Sequence, residues 1–379
     1  MQVMAENKKQ HFIPQFYLRY FSINSLGKSI SIFSLTSSKF IESGSIKKGQ
    51  AAKDYFYGSD LKVEKTLNKI EGKAAFVINS IISSNDLLEK RSSEHEILLI
   101  FFLLLYARTV YYLKQNNEFI NNLLTSVLAR KPELANDLEK LEDNPKEMPQ
   151  SILREAVLYA PLILDLHFKL FVNKTNIPFI ISDHPVVIYN QFLESKKNYG
   201  SNTGFASKGL QIIIPLSPNH ILFFFDRDVY RIGKKMESLI VIDCIKDVDS
   251  LNLLQCLSAN ENLYFNQHIS EFYIQSLLKK ATRRETKAKV DEFLIPNNQN
   301  MHKKAILLMA YKSDIRCNLY LSFVQILRKA KKYEPKNKIV HMRSEEVCRV
   351  SKKVVELLSM VHTKDLNELL EGLLPSEGL

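Results

Sequence analysis

The stretch ILLIFFLLLYA, at residues 97–107, is the longest apolar run of the chain and the feature that most restricts its fold. It is about half of the roughly 20 residues that a bilayer-spanning helix needs. A helix that is apolar on every side has to be surrounded by other elements of a protein core. We therefore expect a soluble protein in which this segment, within a helix of about residues 92–115, is buried.

The other apolar patterns predict helices on both sides of a strand-rich middle. An alternating stretch rich in Ser and Ile predicts a β-hairpin of residues 28–35 and 39–47. Helical spacing is found at residues 61–81, 117–129 and 151–172. Short apolar runs between residues 177 and 245 are separated by Pro, Ser, Asn and Asp, and they predict the strands of one sheet. Helices return from residue 247.

This order of elements predicts an α+β fold, mostly helical, with one central, mainly antiparallel sheet and a helical C-terminal extension. The chain has 379 residues, which exceeds the usual size of a single core. The stretch FLIPNNQN at residues 293–300 is typical of a linker. We predict an α+β core domain at 1–295 and a basic extension at 296–379, with helices at about 302–333 and 345–372.

The positive charge is concentrated near the C-terminus. The net charge is +11, and residues 277–379 contain 21 Lys and Arg against 12 Asp and Glu, which leaves +9. Such a region is either a solvated helical face or a surface for a polyanion. RNA or DNA is therefore one expected partner, and a protein bound to the C-terminal helices is another.

The four cysteines, Cys244, Cys256, Cys317 and Cys348, form no Cys-x-x-Cys pair and have no His at zinc-finger spacing. The N-terminal 30 residues lack the continuous apolar stretch of a cleavable signal peptide. We expect reduced thiols and a cytoplasmic protein. The sequence predicts no metal site and does not identify a cofactor.

The segment KKQHFIPQFYLRYF, at residues 8–21, places a histidine among aromatic residues. Pro14 fixes its own φ and favours an extended Ile13. We expect the segment to insert into the core and to carry His11 to a polar site. There the imidazole is either a general base or a histidine hydrogen-bonded within the core.

Two further positions could join such a site. Ser182-Asp183-His184-Pro185 ends a predicted strand, and Asp183 is expected either to accept a hydrogen bond from His11 or Arg108 or to form a structural turn. Arg108 ends the apolar helix and needs a carboxylate or an anion, since an unpaired buried guanidinium is costly. Its candidate partners are Glu71 and Glu64, which share one face of a predicted helix, and Asp183.

Several short motifs occur in one order: His11-Phe12-Ile13-Pro14, Leu67-x-x-Ile70-Glu71-Gly72, Ala107-Arg108-Thr109, residues 178–185, Pro215-Leu216-Ser217-Pro218, and Asn252 with Ala259-Asn260. With them, residues 9–275 resemble a bacterial family known only as a domain of unknown function. The resemblance implies a shared architecture and no particular reaction. Where the family typically has Ser-Asp-Asn-Pro, this chain has His184.

From these residues we hypothesise a nucleic-acid-processing enzyme, similar to a nuclease and, by analogy, suited to phage defence. His11 would move protons, Asp183 would orient it, and Arg108 would stabilise charge on phosphate oxygens. The remaining candidates are Glu71 in the catalytic centre and a substrate-binding set consisting of Gln15, Tyr17, Ser182, His184, Asn252 and Asn260.

The alternative hypothesis is a non-enzymatic binding or sensor module in which the polar cluster is structural. A small-molecule hydrolase with a pocket beside the sheet is a third interpretation. The sequence has no Walker A loop, G-x-G-x-x-G or H-E-x-x-H motif that would favour a particular enzyme class.

Overall fold

The computed structural model describes residues 9–47, 50–54, 62–135, 148–196, 200–281, 289–295, 305–311, 314–336 and 340–361. The helices are α1 (Gln15–Tyr20), α2 (Lys62–Ser84), α3 (Ser93–Ala107), α4 (Val110–Leu128), α5 (Met148–Leu158), α6 (Gln191–Glu194), α7 (Ile245–Ser258), α8 (Glu271–Lys280), α9 (Arg328–Lys331) and α10 (Glu345–Val361). Three-residue 3₁₀ turns lie at Ile23–Ser25, Pro132–Leu134 and Ala160–Leu162.

The strands are β1 (Lys9–His11), β2 (Ser29–Ser34), β3 (Lys39–Ser45), β4 (Ala52–Asp54), β5 (His167–Asn173), β6 (Ile181–Ser182), β7 (Val187–Tyr189), β8 (Gln211–Ser217), β9 (His220–Phe225), β10 (Tyr230–Ile232), β11 (Leu239–Ile242), β12 (Asn262–Phe265), β13 (Lys289–Ile295), β14 (Ala305–Tyr311) and β15 (Val324–Ile326). The α+β class is therefore confirmed.

Two larger sheets replace the single central sheet that the sequence predicts. One has five strands in the order β11-β5-β9-β8-β7, and only its β11–β5 pair is parallel. The other has four antiparallel strands in the order β3-β2-β12-β6. The predicted β-hairpin forms β2 and β3. Within the described residues, β1–β4, β10–β15 and β13–β14 pair as two-stranded sheets.

The five-stranded sheet is covered on both faces, which explains its continuous apolar strands. Successive side chains of a strand point to opposite faces. Accordingly, Ile212 and Ile214 of β8 belong to the core that contains α3, whereas Ile213 packs in a second core with α7 and with residues of the C-terminal part such as Leu319. Both cores are needed to bury this sheet.

The apolar helix α3 is buried as predicted, with eleven of its residues in the core. The aromatic N-terminal segment also inserts into the core, since Ile13, Tyr17, Leu18 and Phe21 are fully buried. None of the described helices is by itself long and apolar enough to cross a membrane, whereas α3 and α4 together reach that length and hydropathy across a bend of 66°.

Two predicted helices of the N-terminal half are wrong in part. The helix predicted to run to about residue 115 ends at Ala107, and Thr109 caps a new helix by accepting from the Tyr112 amide at 3.3 Å. The helix predicted at 151–172 ends at Leu158, because Pro161 cannot continue it. The apolar residues that follow form β5, which pairs with β9. An apolar run of that length suits a helix or a strand, and the neighbouring strand decides.

Where the structure describes it, the C-terminal part is not the predicted pair of helices. Of the helix predicted at 302–333, the described residues show β14, which pairs with β13 along its whole length, then an irregular segment that leads to β15, and finally the short α9. β15 pairs with β10 of the core. The second predicted helix is present as α10, and residues 362–372 of that prediction lie outside the described residues. The predicted domain boundary at 295/296 stays a prediction.

Candidate functional site

His11 lies at the end of β1, half-buried, with both ring nitrogens hydrogen-bonded. Nδ1 donates to the Gln50 carbonyl at 3.1 Å, and Nε2 accepts from the Gln15 amide at 2.8 Å. One nitrogen donates and the other accepts, which is the pattern of a neutral imidazole. Gln15 in turn accepts from Arg19 at 3.3 Å. The structure thus brings His11 and Gln15 together and fixes the imidazole ring between β1 and the first turn of α1.

Arg108 and Glu71 form an ion pair between α3 and α2. Their atoms Nη1 and Oε1 are 2.7 Å apart, and the two side chains are 1% and 18% exposed. Glu64 lies two helical turns before Glu71 on the same face of α2. Burial raises the pKa of Glu64, despite a hydrogen bond from Gln10 that lowers it. The pair therefore links two core helices, as one of the two interpretations of Arg108 expected.

Asp183 is buried and holds a backbone turn. Its carboxylate accepts from the amides of Asn260 at 2.7 Å, Glu261 at 2.8 Å and Asn262 at 3.3 Å. Burial raises its pKa to about 6, although these three hydrogen bonds act in the opposite direction. The carboxylate therefore joins the end of β6 to the turn between α7 and β12.

The other polar residues of this segment are bonded to α7. Ser182 donates through its hydroxyl to Gln255 at 3.0 Å. Asn252 accepts from the Ile180 amide at 3.0 Å and donates to the Pro178 carbonyl at 3.0 Å. Asn260 contributes its backbone amide to Asp183. These groups hold the strand in place, and the substrate-binding role predicted for them stays a prediction.

The expected hydrogen-bonded centre of His11, Asp183 and Arg108 is not assembled. Over the described residues, no hydrogen bond or ion pair joins any two of the three. Each instead binds a different part of the fold. Tyr17 is also structural, since its hydroxyl donates to the Pro215 carbonyl in the core. Among the predicted site residues, His184 borders the cavity that the described residues enclose beside β7.

That cavity has a volume of about 480 Å³ and lies beside β7, at the junction of α3 and α4. We call it the tyrosine cavity after the aromatic side chains that line it, which are Tyr106, Tyr111, Tyr112, Tyr159, Phe205, His184 and His341. Volumes of roughly 300–1,000 Å³ are typical of small-molecule sites. The break between α3 and α4 is what lets tyrosines from both helices face one space.

His184 forms the floor of the tyrosine cavity. Its ring lies between those of Tyr106 and Tyr111, with both centroid distances 4.8 Å. Its Nδ1 is 2.7 Å from the Thr109 hydroxyl, and its backbone carbonyl accepts from Ser258 at 2.8 Å. These contacts fix the orientation of the imidazole, so the floor is a set of rings in defined positions.

Another part of the lining of the tyrosine cavity presents hydroxyl groups. Ser201 and Thr203 line it, and each donates its hydroxyl hydrogen to Asp314 at 2.6 Å. A hydroxyl whose hydrogen is engaged still accepts through its lone pairs. Burial raises the pKa of Tyr159 to about 12, so that its hydroxyl keeps its proton at neutral pH. The lining of the tyrosine cavity thus combines the acceptor hydroxyls of Ser201 and Thr203 with the neutral phenol of Tyr159.

The described lining of the tyrosine cavity consists of apolar, aromatic, hydroxyl and amide side chains and two histidines. Not one Asp, Glu, Lys or Arg is found among its described lining residues. The part of the chain that the structure describes also contains no group of three or more His, Cys, Asp or Glu side chains that could hold a metal ion. The cavity is therefore suited to binding by stacking and neutral hydrogen bonds.

The fold and the site thus define this chain as an α+β protein with a cavity lined by aromatic side chains. Residues 9–268 match the family model described as protein of unknown function (DUF4238), and the chain belongs to this family. No curated protein and no solved structure shows significant similarity to the chain. The tyrosine cavity has lining residues inside the matched range and others, such as Ile315 and Met342, beyond it.

Sequence reasoning missed most of the tyrosine cavity. It selected titratable residues at motif positions, and these became part of the hydrogen-bonded framework. One available signal was YARTVYY at residues 106–112, in which three tyrosines surround the Arg-Thr pair at a helix end. Tyrosine pairs a large apolar face with a polar tip, which is common at binding surfaces.

Proposed function

We propose that this protein is a non-enzymatic binding or sensor module whose tyrosine cavity binds a small, planar, uncharged molecule. The observation that carries the proposal is the lining of this cavity, whose described residues include four tyrosines, Phe205, His184 and His341 but no Asp, Glu, Lys or Arg. Aromatic rings at these positions offer their faces and edges to a flat ligand, and each such ring pair contributes about 0.5–1.5 kcal/mol.

The neutral lining supports an uncharged ligand. An ion that entered the cavity would lose its water without gaining an opposite charge, and this desolvation is costly. A heterocycle with donors on its edge could stack on the rings of the floor. It would also donate to the acceptor lone pairs of Ser201 and Thr203, which Asp314 orients.

The contacts of the predicted catalytic residues support binding rather than catalysis. His11, Arg108 and Asp183 each bind a separate part of the protein. His184 borders the cavity, and its ring atom Nδ1 lies 2.7 Å from the hydroxyl of Thr109. An imidazole in that setting is placed to pack against a ligand and to form a hydrogen bond with a neighbour.

The test is a binding titration with adenosine, which is flat over its base and uncharged, and with choline, which is a small cation. Calorimetry gives the affinity, and tyrosine emission gives an independent signal because the chain contains no Trp. We expect saturable binding of adenosine at one site. Phe205→Ala should weaken it at least about tenfold.

The matched control is Phe272→Ala, which removes the same ring from a position that is 80% exposed and does not line the cavity. This variant should bind adenosine like the wild type. Absence of adenosine binding, an unchanged affinity in Phe205→Ala, or binding of choline in place of adenosine would each contradict the proposal.

Nucleic-acid processing remains the second candidate because the net charge of +11 favours a polyanionic partner. Its test is incubation of the protein with tRNA and with plasmid DNA, beside His11→Ala and Arg108→Ala. Cleavage by the wild type that both substitutions abolish would support a nuclease, and equal cleavage by all three would exclude these residues as its centre. We also propose a reducing compartment such as the cytoplasm, since all four cysteines are free.

A further inference from the structure

Residues 340–343, which we call the strap, lie along the mouth of the tyrosine cavity. The Lys208 amide donates to the His341 carbonyl at 3.3 Å, and the Arg343 amide donates to the Ala206 carbonyl at 3.0 Å. Between these two bonds, Met342 forms an antiparallel bridge with Ser207. The strap is therefore bound through its backbone to the segment that carries Phe205 and Ser207.

Arg343 anchors the strap in the core. Its side chain is only 2% exposed and binds both carboxylate oxygens of Asp165, with Nε–Oδ2 at 2.7 Å and Nη2–Oδ1 at 2.6 Å. It also donates to the Phe205 carbonyl at 2.6 Å and to the Leu162 carbonyl. A two-pronged Arg–carboxylate contact fixes direction as well as distance. The residues just before Arg343 are held at the mouth as a result.

The strap lines the outer part of the cavity. Val340, His341 and Met342 all border it. Met342 is 42% exposed, whereas His184 on the floor is 3% exposed. A flat ring stacked near His184 would therefore point its substituents toward Met342. The whole strap lies beyond residue 268, where the family match ends.

We infer that the strap selects among ligands of the tyrosine cavity by contacting the substituent that a bound ring carries toward the mouth. This inference rests on the proposed function and adds a specificity determinant to it. The floor, built from α3, α4 and His184, recognises the ring. The strap, contributed by the chain beyond the family match, recognises what is attached to the ring.

The experiment compares adenosine with adenine, which has the same ring system without the ribose. In Met342→Trp a larger side chain occupies the mouth, and we expect adenosine to bind about tenfold more weakly while adenine changes less than about twofold. In Met342→Ala the contact is lost without a clash, and adenosine should weaken about threefold with adenine again unchanged. Titration calorimetry measures all four values.

Met236→Trp is the matched control, since Met236 is 91% exposed and does not border the cavity. It should bind both probes like the wild type, and a circular dichroism melt of each variant checks that the fold is intact. Equal effects of the Met342 substitutions on both probes, or no effect on either, would overturn the inference while leaving the proposed function in place. A wild type that binds neither adenosine nor adenine would overturn both.

Discussion

The buried polar residues of the core and the tyrosine cavity use similar side chains in opposite ways. Arg108 and Asp183 are almost completely buried, and their charged groups bind carboxylate oxygens or backbone amides of the protein itself. In the tyrosine cavity, by contrast, ring faces and hydroxyl lone pairs border a space of about 480 Å³. The first region uses its polar groups for contacts within the fold, whereas the second presents aromatic rings and hydroxyl lone pairs at the border of a cavity.

This difference teaches that a titratable residue at a motif position is weak evidence for catalysis when its partners are internal. A buried ionisable group has to be satisfied by the protein, and residues that do this are restricted in sequence for structural reasons. A binding cavity needs uncommitted surface instead. The two regions should therefore respond differently to substitution, with a loss of stability in one and a loss of binding in the other.

The largest expected effect is that of Arg108→Ala. It removes the cation of a buried pair and leaves Glu71 between two core helices, which should lower the free energy of unfolding by about 3–5 kcal/mol. Urea denaturation measures the change. Arg19→Ala, at an exposed position of α1, is the matched control and should cost less than about 0.5 kcal/mol. A similar small loss in both variants would break the comparison.

Asp183→Ala should have the next largest effect. It leaves the amides of residues 260–262 without their acceptor, and we expect a loss of about 2–4 kcal/mol. Asp183→Asn keeps one acceptor oxygen and should lose about half as much. Hydrogen exchange should accelerate first at the amides of residues 260–262. Exchange that stays unchanged there would show that this carboxylate does not hold the turn.

A third prediction concerns pH. His95 stacks on Phe168 at a centroid distance of 4.8 Å, and burial lowers its pKa from 6.5 to about 4. Below pH 6.5 His95 binds a proton in the unfolded chain but stays neutral in the folded chain. The contribution of neutral His95 to the free energy of unfolding is therefore complete above pH 6.5 and is lost as the pH falls through 4. In His95→Phe the loss between pH 7 and 4 should shrink by roughly 2 kcal/mol.

Asp183 acts in the opposite sense over part of this range. Its pKa is raised from 3.8 to about 6, so its contribution is complete below pH 3.8 and is lost as the pH rises through 6. The measurement therefore compares denaturation curves of His95→Phe and wild type at each pH, rather than one profile alone. Parallel curves at every pH would contradict the role given to His95.

The smallest stability effect is expected in the tyrosine cavity. Phe205 is half-buried and already borders empty space, so that Phe205→Ala should cost only about 1 kcal/mol. Phe101→Ala, whose ring is 1% exposed in the core, should cost about 3–5 kcal/mol. Thermal melts of the two variants measure both. A Phe205→Ala protein as unstable as Phe101→Ala would place this ring in the core and erase the contrast.

The fold was more predictable than the site. The buried α3, the first hairpin and the inserted N-terminal segment follow from local periodicity and from the need to bury large apolar side chains. The helix predicted at 151–172 was right only as far as Leu158, and the one predicted at 302–333 was mostly wrong, because short apolar runs suit strands as well as helices. The residues at 167–173 became strand β5 because they pair with β9, which is far along the chain, and β14 formed by pairing with β13. The spacing of apolar residues within one segment does not reveal such pairings.

The sequence by itself determined an α+β protein with a buried apolar helix, because the spacing of apolar residues and the positions of prolines restrict the backbone locally, within a few residues. Only the tertiary structure decided that Arg108 meets Glu71, that Asp183 binds a turn formed far along the chain, and that tyrosines from two helices share one cavity. Those outcomes depend on where the chain bends, at Thr109 and Pro161 among other places. Residues far apart in sequence meet only once these bends and the sheet pairings are set.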